Sequence, residues 1–292
     1  MGGAKRRPMA RKRVVVAVCA IAVAVLAVAL AFAAASARDG ESYERAAQLE
    51  ESGDLAGAYA LFDGLGGYSD ARDRAAAIAA ERPGVRLAGA SRGDYVEFGA
   101  FEQDGDAGDG AEPLWWIILD EKDGRFLLIS EKVLAGRAYH EGEGDIVWRD
   151  CSLRAWLNGE FLQGAFTDAE RSLVAEVENE NPDEDVHGTE GGPDTADRVF
   201  ALSEPEAAVY LGSEERRFYF GTAAPTDLAV AQSVSVHGEG EEAASPWWLR
   251  SPGTYPNSAV FVEADGTVNP NGAIVTNDYF CGVRPAMWVD AG

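Results

Sequence analysis

The sequence has little cysteine and little histidine, with three residues of each in a chain of 292. Cys19 lies within a long apolar run, so Cys151 and Cys281 are the one possible disulfide pair outside it. An oxidising compartment would favour this disulfide, and the alternative is two small buried residues. Histidine chemistry is poorly supplied, because the three residues stand far apart in polar segments: His140, His187 and His237.

Motifs that carry catalysis are also missing. The sequence has no His-Glu-x-x-His or Cys-x-x-Cys segment, and no glycine-rich phosphate loop with its lysine. A Ser-His-Asp triad needs no adjacent residues, so the sequence alone does not test for one. We therefore expect a protein that is not an enzyme.

Basic residues are scarce and unevenly placed. The chain has 25 Lys and Arg against 49 Asp and Glu, and six of the basic residues lie within the first 13 positions. The remainder carries a formal net charge of −30. Such a surface repels nucleic acid and anionic lipid headgroups, whereas it accepts divalent cations or a basic partner. The alternative is that the acidity only keeps the domain soluble.

One long apolar run follows the basic cluster. Residues 14–37 carry no charge, and about 20 apolar residues are enough to span a bilayer. The preceding basic residues predict a cytoplasmic N-terminus and an extracytoplasmic remainder. We expect residues 1–37 to be a basic tail with a single-pass anchor that contacts the membrane through residues 14–36. A cleaved signal sequence is the alternative, since Ala35-Ser36-Ala37 is typical of a cleavage site.

A helical neck is predicted at residues 41–82. Gly53 separates the first helix from the second, which Asp54 can cap, and Pro83 stops the third. The spacing of Ala58 and Phe62 resembles the second helix of a tetratricopeptide hairpin. Only about one repeat is present, so we interpret the neck as a spacer or a packing accessory.

The remaining residues, 85–292, have the pattern of an α+β domain. Short alternating or apolar strands are separated by turn residues, and two short helices lie among them. The most distinct local feature is the apolar segment 114–119, followed by Asp123-Gly124 and the apolar segment 125–130, which predicts a β-hairpin.

Within this domain the chain resembles the bacterial domain-of-unknown-function family 6273. The resemblance rests on eight ordered blocks, at residues 93–99, 116–120, 127–130, 148 with 152–158, 181–182 with 191–195, 197–203, 248–253 and 282–286. It implies a C-type-lectin-like fold of short strands with two main helices, and a binding domain on a cell surface. The blocks Trp-Leu-Arg-Ser and Gly-Val-Arg-Pro are also similar to the C-terminal core of formylglycine-generating enzymes. Those enzymes use paired C-terminal cysteines, and Cys281 has no such neighbour, so an oxidase is a remote alternative.

The lectin-like resemblance implies a ligand site in the loops near the C-terminus. Aromatic and polar side chains there are the candidate contacts: Trp247, Arg250, Tyr255, Asn271 and Tyr279. The alternative for Arg250 and Arg284 is structural, because a buried guanidinium needs a fork of carboxylates or carbonyls.

The segment 179–197 is rich in the oxygen ligands that Ca²⁺ prefers. The candidate ligands are Asn179, Asn181, Asp183, Asp185, Asp194 and Asp197. Their spacing matches no EF-hand loop, so a solvated acidic loop is the alternative. A weaker candidate is the acidic loop with Asp104, Asp106 and Asp109.

Taken together, these patterns predict an extracytoplasmic protein that binds a glycan or a protein ligand. The alternative is an assembly component of the cell envelope that contacts its partners through the neck.

Overall fold

The computed structural model describes residues 35–277 and 280–291. Most of the apolar run predicted to be an anchor, residues 14–34, lies outside this range. Within the described residues, no helix is both long enough and apolar enough to cross a membrane. The chain divides into two compact units, Met1–Ile78 and Ala79–Gly292.

The first unit is helical in its described part. Residues 35–52 (α1) are followed by Leu55–Leu65 (α2) and Ala71–Glu81 (α3), which continues into the second unit. Gly53 has a φ of +86°, and Asp54 caps α2 by accepting a 3.0 Å hydrogen bond from the Gly57 amide, as the sequence predicts. The Arg74 guanidinium lies 4.4 Å from the centre of the buried Phe62 ring and forms an ion pair with Glu50.

The second unit combines short helices with three sheets, which confirms the α+β class. Its strands are β1 (Tyr95–Phe101), β2 (Glu112–Lys122), β3 (Arg125–Ser130), β4 (Ala135–Gly136), β5 (Val177–Asn179), β6 (Thr195–Asp197), β7 (Trp247–Pro252), β8 (Ser258–Val262), β9 (Val268–Ile274), β10 (Gly282–Val283) and β11 (Ala286–Asp290). Its helices are α4 (Ser152–Trp156), α5 (Leu162–Ala165), α6 (Asp168–Leu173), α7 (Glu204–Leu211), α8 (Glu214–Arg216) and α9 (Asp227–Ala231). One π-helical turn, Leu157–Phe161, joins α4 to α5, and another, Arg217–Gly221, follows α8.

The first sheet has the strand order β1-β2-β3-β11 and is antiparallel throughout. Asp123 and Gly124 both have positive φ, at +54° and +77°, as the two-residue hairpin turn between β2 and β3 requires. The predicted hairpin is therefore confirmed.

The second sheet has the order β4-β10-β7-β8-β9, while β5 pairs with β6 alone. Strand β7 is hydrogen-bonded on both sides, and every one of its residues is buried. Alternate side chains of a strand point to opposite faces, so both faces of β7 are covered. This position decides the environment of Trp247, Trp248 and Arg250.

Candidate functional site

The residues predicted to contact a ligand do not share one accessible surface in the described part of the chain. Trp247 and Arg250 are buried on β7, with 0% and 3% of their surface exposed. Tyr255 is 64% exposed and follows Thr254, whose amide donates a 3.0 Å hydrogen bond to the carbonyl oxygen of Asn271. Tyr279 lies outside the described residues.

Arg250 and Arg284 have the structural role that the sequence analysis gave as the alternative to ligand binding. Arg250 donates to the carbonyl oxygens of Ala201 and Glu180, at 2.9 and 3.3 Å, and forms an ion pair with Glu206. Arg284 donates to the Ser130 carbonyl oxygen at 2.7 Å and to the Phe220 carbonyl oxygen. Burial lowers the pKa of Arg284 to about 9, which leaves it charged at neutral pH.

Asp197, one of the predicted calcium ligands, is already saturated with hydrogen bonds. Its Oδ2 accepts from Trp148 Nε1 at 3.0 Å, from Asn179 Nδ2 at 3.1 Å and from the Thr195 hydroxyl at 2.7 Å. Its Oδ1 accepts from Arg154 Nε at 2.6 Å and from Asn158 Nδ2 at 3.4 Å. The carboxylate is therefore a structural centre that these donors neutralise.

The other predicted calcium ligands are spread along the loop. Asp194 accepts a hydrogen bond from the Asn181 amide at 3.1 Å, and Asp183 accepts one from the Gly191 amide at 3.0 Å. Both aspartates are exposed, as is Asp185, whereas Asn179 and Asn181 are buried. In the described residues, the one group of three acidic side chains whose oxygens lie within 4.8 Å of one another is Glu102, Asp104 and Glu112. The backbone amide of Gln103 donates a hydrogen bond to the Glu112 carboxylate, and the backbone amide of Gly105 donates one to the Glu102 carboxylate.

Cys151 and Cys281 are free, buried thiols, so the structure shows the second of the two alternatives. Burial raises the pKa of Cys151 to about 12 and raises that of Cys281 well above its ordinary value. Neither residue supplies a thiolate at neutral pH.

The sequence analysis missed a pair of exposed aromatic residues. Phe218 and Tyr219 are 67% and 60% exposed, and their rings meet edge to face with centroids 5.4 Å apart. They lie on the π-helical turn Arg217–Gly221, which we name the aromatic turn. Turns of this kind are rare and are frequent at functional sites. The run of three aromatic residues at 218–220 was the signal that could have indicated it.

Beside Phe218 lies a cleft of about 920 Å³, which we name the acidic cleft. Its lining includes five alanines and His237, and four carboxylates stand around it: Glu241, Glu242, Glu263 and Asp265. Among the described residues that line it there is no lysine or arginine. A second hollow, of about 580 Å³, shares Phe218 and Asp265 with the cleft and is also lined by Arg217 and Tyr219.

Buried residues hold the aromatic turn in place from below. Trp247 Nε1 donates a 2.9 Å hydrogen bond to the Gly221 carbonyl oxygen, and Arg284 lies 5.1 Å from the centre of the Trp247 ring while it bonds Phe220. Gly221 and Gly266 are in close contact, since a Cβ on Gly221 would lie 3.0 Å from Gly266 Cα. Trp247 therefore positions the turn and is itself shielded from any ligand there.

The histidine at the cleft has one polar partner. Ser235 Oγ lies 3.3 Å from His237 Nε2, and both residues belong to one exposed segment. In the described residues no carboxylate bonds the other ring nitrogen of His237, so the pair lacks the third member that orients a catalytic histidine.

Comparison with protein-family models assigns this α+β unit to a family. The family model of a domain of unknown function, DUF6273, matches residues 123–291, more than half of the chain, and the chain belongs to that family. The match begins later than residue 85, where the resemblance was expected to start, and it includes the aromatic turn, the acidic cleft and β7. No curated protein and no solved structure matches the chain.

Proposed function

We propose that the chain is a non-enzymatic, extracytoplasmic binding protein that recognises a glycan or protein ligand through the acidic cleft and the aromatic turn. In this proposal the C-terminal unit has a C-type-lectin-like fold. A single-pass anchor at residues 14–36 and a tetratricopeptide-like neck hold it at the cell membrane.

The observation that carries the proposal is the exposed pair Phe218 and Tyr219 beside a cleft. Aromatic side chains contribute most of their free energy when they are buried, so two adjacent exposed rings leave that contribution unused. Exposed apolar groups rimmed by polar residues are typical of interaction sites. The volume of the cleft also falls in the range of ligand sites.

The hydrogen bonds that hold the aromatic turn also support a binding role. Binding sites work best on backbone that is held before the ligand arrives. Trp247 and Arg284, two of the most deeply buried side chains, both bond carbonyl oxygens of the turn. Two donors from the core therefore hold the backbone of the turn before a ligand binds.

The test uses the full-length chain in a non-denaturing detergent and an immobilised panel of glycans and peptides. The double variant Phe218→Ala, Tyr219→Ala should lose binding to the panel members that the parent retains. Tyr255→Ala is the matched control, because Tyr255 is as exposed as the pair and lines neither hollow. If the double variant still bound the panel members, or if only Tyr255→Ala lost binding, the ligand site would instead lie in the loops first expected from the sequence. If the parent chain bound no panel member, the proposal would be wrong.

A further inference from the structure

We infer that the occupant of the acidic cleft is a polypeptide segment rich in lysine and arginine. The inference rests on the proposed function and specifies the chemical class of its ligand. It follows from the charge of the cleft, the distribution of that charge and the exposed ring at its edge.

The cleft has an unbalanced charge. Glu241 and Glu242 are exposed and precede β7 in the chain, while Glu263 and Asp265 follow β8, and all four line the cleft. Arg217 lines the smaller hollow. Because opposite charges steer a partner to its site and like charges repel it, the cleft selects cations and rejects nucleic acids and acidic sugars.

Two of these carboxylates are fixed in position. Asp265 Oδ1 accepts from the Thr267 hydroxyl at 2.6 Å and from the Thr267 amide at 2.9 Å, and these bonds hold the pKa of Asp265 below its usual range. Glu263 Oε1 accepts from Asn269 Nδ2 at 2.9 Å. The site therefore keeps its negative charge in place before a ligand binds.

The distribution of the charge does not suit a metal ion. Among the described residues, the acidic groups of the cleft do not form a set of three ligand atoms within 4.8 Å of one another. Calcium requires six to eight oxygens around one point. Charges placed apart fit several ammonium or guanidinium groups carried along one chain.

Phe218 adds an exposed aromatic face that a cation can use. A cation over an aromatic face is attracted by the ring, and arginine and lysine are the common partners. Phe218 also stands between the cleft and the smaller hollow, which both reach Asp265. An extended segment can therefore pass over the ring and place successive basic side chains on either side of it.

The probe is a fluorescein-labelled octapeptide of alternating glycine and lysine, with a glycine–glutamate and a glycine–serine octapeptide for comparison. Binding to the full-length chain in detergent is followed by fluorescence anisotropy at low and at high salt. We expect the lysine peptide to bind, the other two to fail, and the affinity to fall as salt rises. Glu241→Gln with Glu242→Gln should weaken binding about fivefold at low salt. Phe218→Leu, which keeps an apolar side chain without the ring, should weaken it about threefold.

The control for charge is Glu176→Gln with Glu178→Gln, which changes the net charge equally at exposed positions away from the cleft. Equal weakening in this control would show attraction to the whole acidic surface and overturn the inference. Failure of the lysine peptide would also overturn it. If a neutral glycan then bound in a manner sensitive to Phe218, the proposed function would stand with another ligand. If no probe depended on Phe218, both would fall.

Discussion

The indole nitrogen of Trp247 donates a 2.9 Å hydrogen bond to the carbonyl oxygen of Gly221, and this bond links the buried strand β7 to the exposed aromatic turn. Trp247 has no exposed surface, whereas Phe218, three residues before Gly221, is mostly exposed. The residue that the sequence indicated as a ligand contact thus supports the residues that can make the contact.

Trp247→Phe should loosen the aromatic turn. The variant keeps a buried ring and removes the donor to Gly221, so we expect a loss of about 1–3 kcal/mol in the free energy of unfolding. Amide hydrogen exchange of residues 217–222 should become faster. Trp248→Phe is the matched control, since Trp248 donates instead to the Arg137 carbonyl oxygen at 2.9 Å. Equal acceleration at the turn in both variants would contradict the link.

Asp197→Asn should destabilise the domain strongly. The buried carboxylate accepts five hydrogen bonds and neutralises Arg154, and removing one partner of such a pair costs about 3 kcal/mol or more. Urea unfolding of the full-length chain in detergent measures the change. Asp194→Asn is the comparison, because Asp194 is exposed and should contribute about 0.5 kcal/mol. A similar effect of the two substitutions would show that Asp197 is not the structural centre.

Calcium should leave the melting temperature unchanged. The protein-derived donors around Asp197 occupy both of its oxygens, so one of the six predicted ligands is not free to bind the ion. Melting curves with Ca²⁺ and with a chelator check this. A ligand that binds only the folded state at a hundredfold excess over its Kd adds about 2.7 kcal/mol, so a real site would give a clear upward shift. Such a shift would restore the calcium site.

The two buried thiols should resist alkylation until the domain unfolds. Because burial raises the pKa of Cys151 to about 12, iodoacetamide at pH 8 should modify it in urea but not under native conditions, as followed by mass spectrometry. Extensive native alkylation of Cys151 or Cys281 would contradict their burial.

The same shift has a consequence for stability in alkali. The thiol of the unfolded chain ionises near pH 9, so its contribution to stability is complete below that pH and declines as the pH rises towards 12. Cys151→Ala should therefore lose less stability between pH 8 and pH 11 than the parent does. An identical decline in both would contradict the shifted pKa.

Sequence reasoning was most reliable where one short pattern has one structural solution. Asp123-Gly124 between two apolar runs can form a tight turn, and Asp54 after Gly53 can cap a helix, so both were predicted correctly. The position of Trp247 and Arg250 depended instead on how other strands pair with β7, which the sequence of β7 alone does not show. β7 became a central strand only because β8 and β10 pair with its two sides.

The candidate site was hard to predict for a related reason. A π-helical turn has no periodic signature, and residues 217–221 combine with residues 237–244 and 263–267 only in the folded domain. The overall acidity indicates a basic partner or a cation, and this stays a prediction. Which carboxylates stand together is a property of the three-dimensional structure.

Strands β10 and β11 pair with strands that are synthesised much earlier. β10 joins the second sheet and β11 joins the first, and Arg125 forms an ion pair with Asp290, 165 residues later. Closing so long a loop is slow, and domains rich in such distant contacts fold slowly. Ribosomes must therefore deliver the chain through β10 and β11 before the two sheets are complete. A premature stop before Ala286 would leave β3 as an open edge able to recruit other molecules into aggregates.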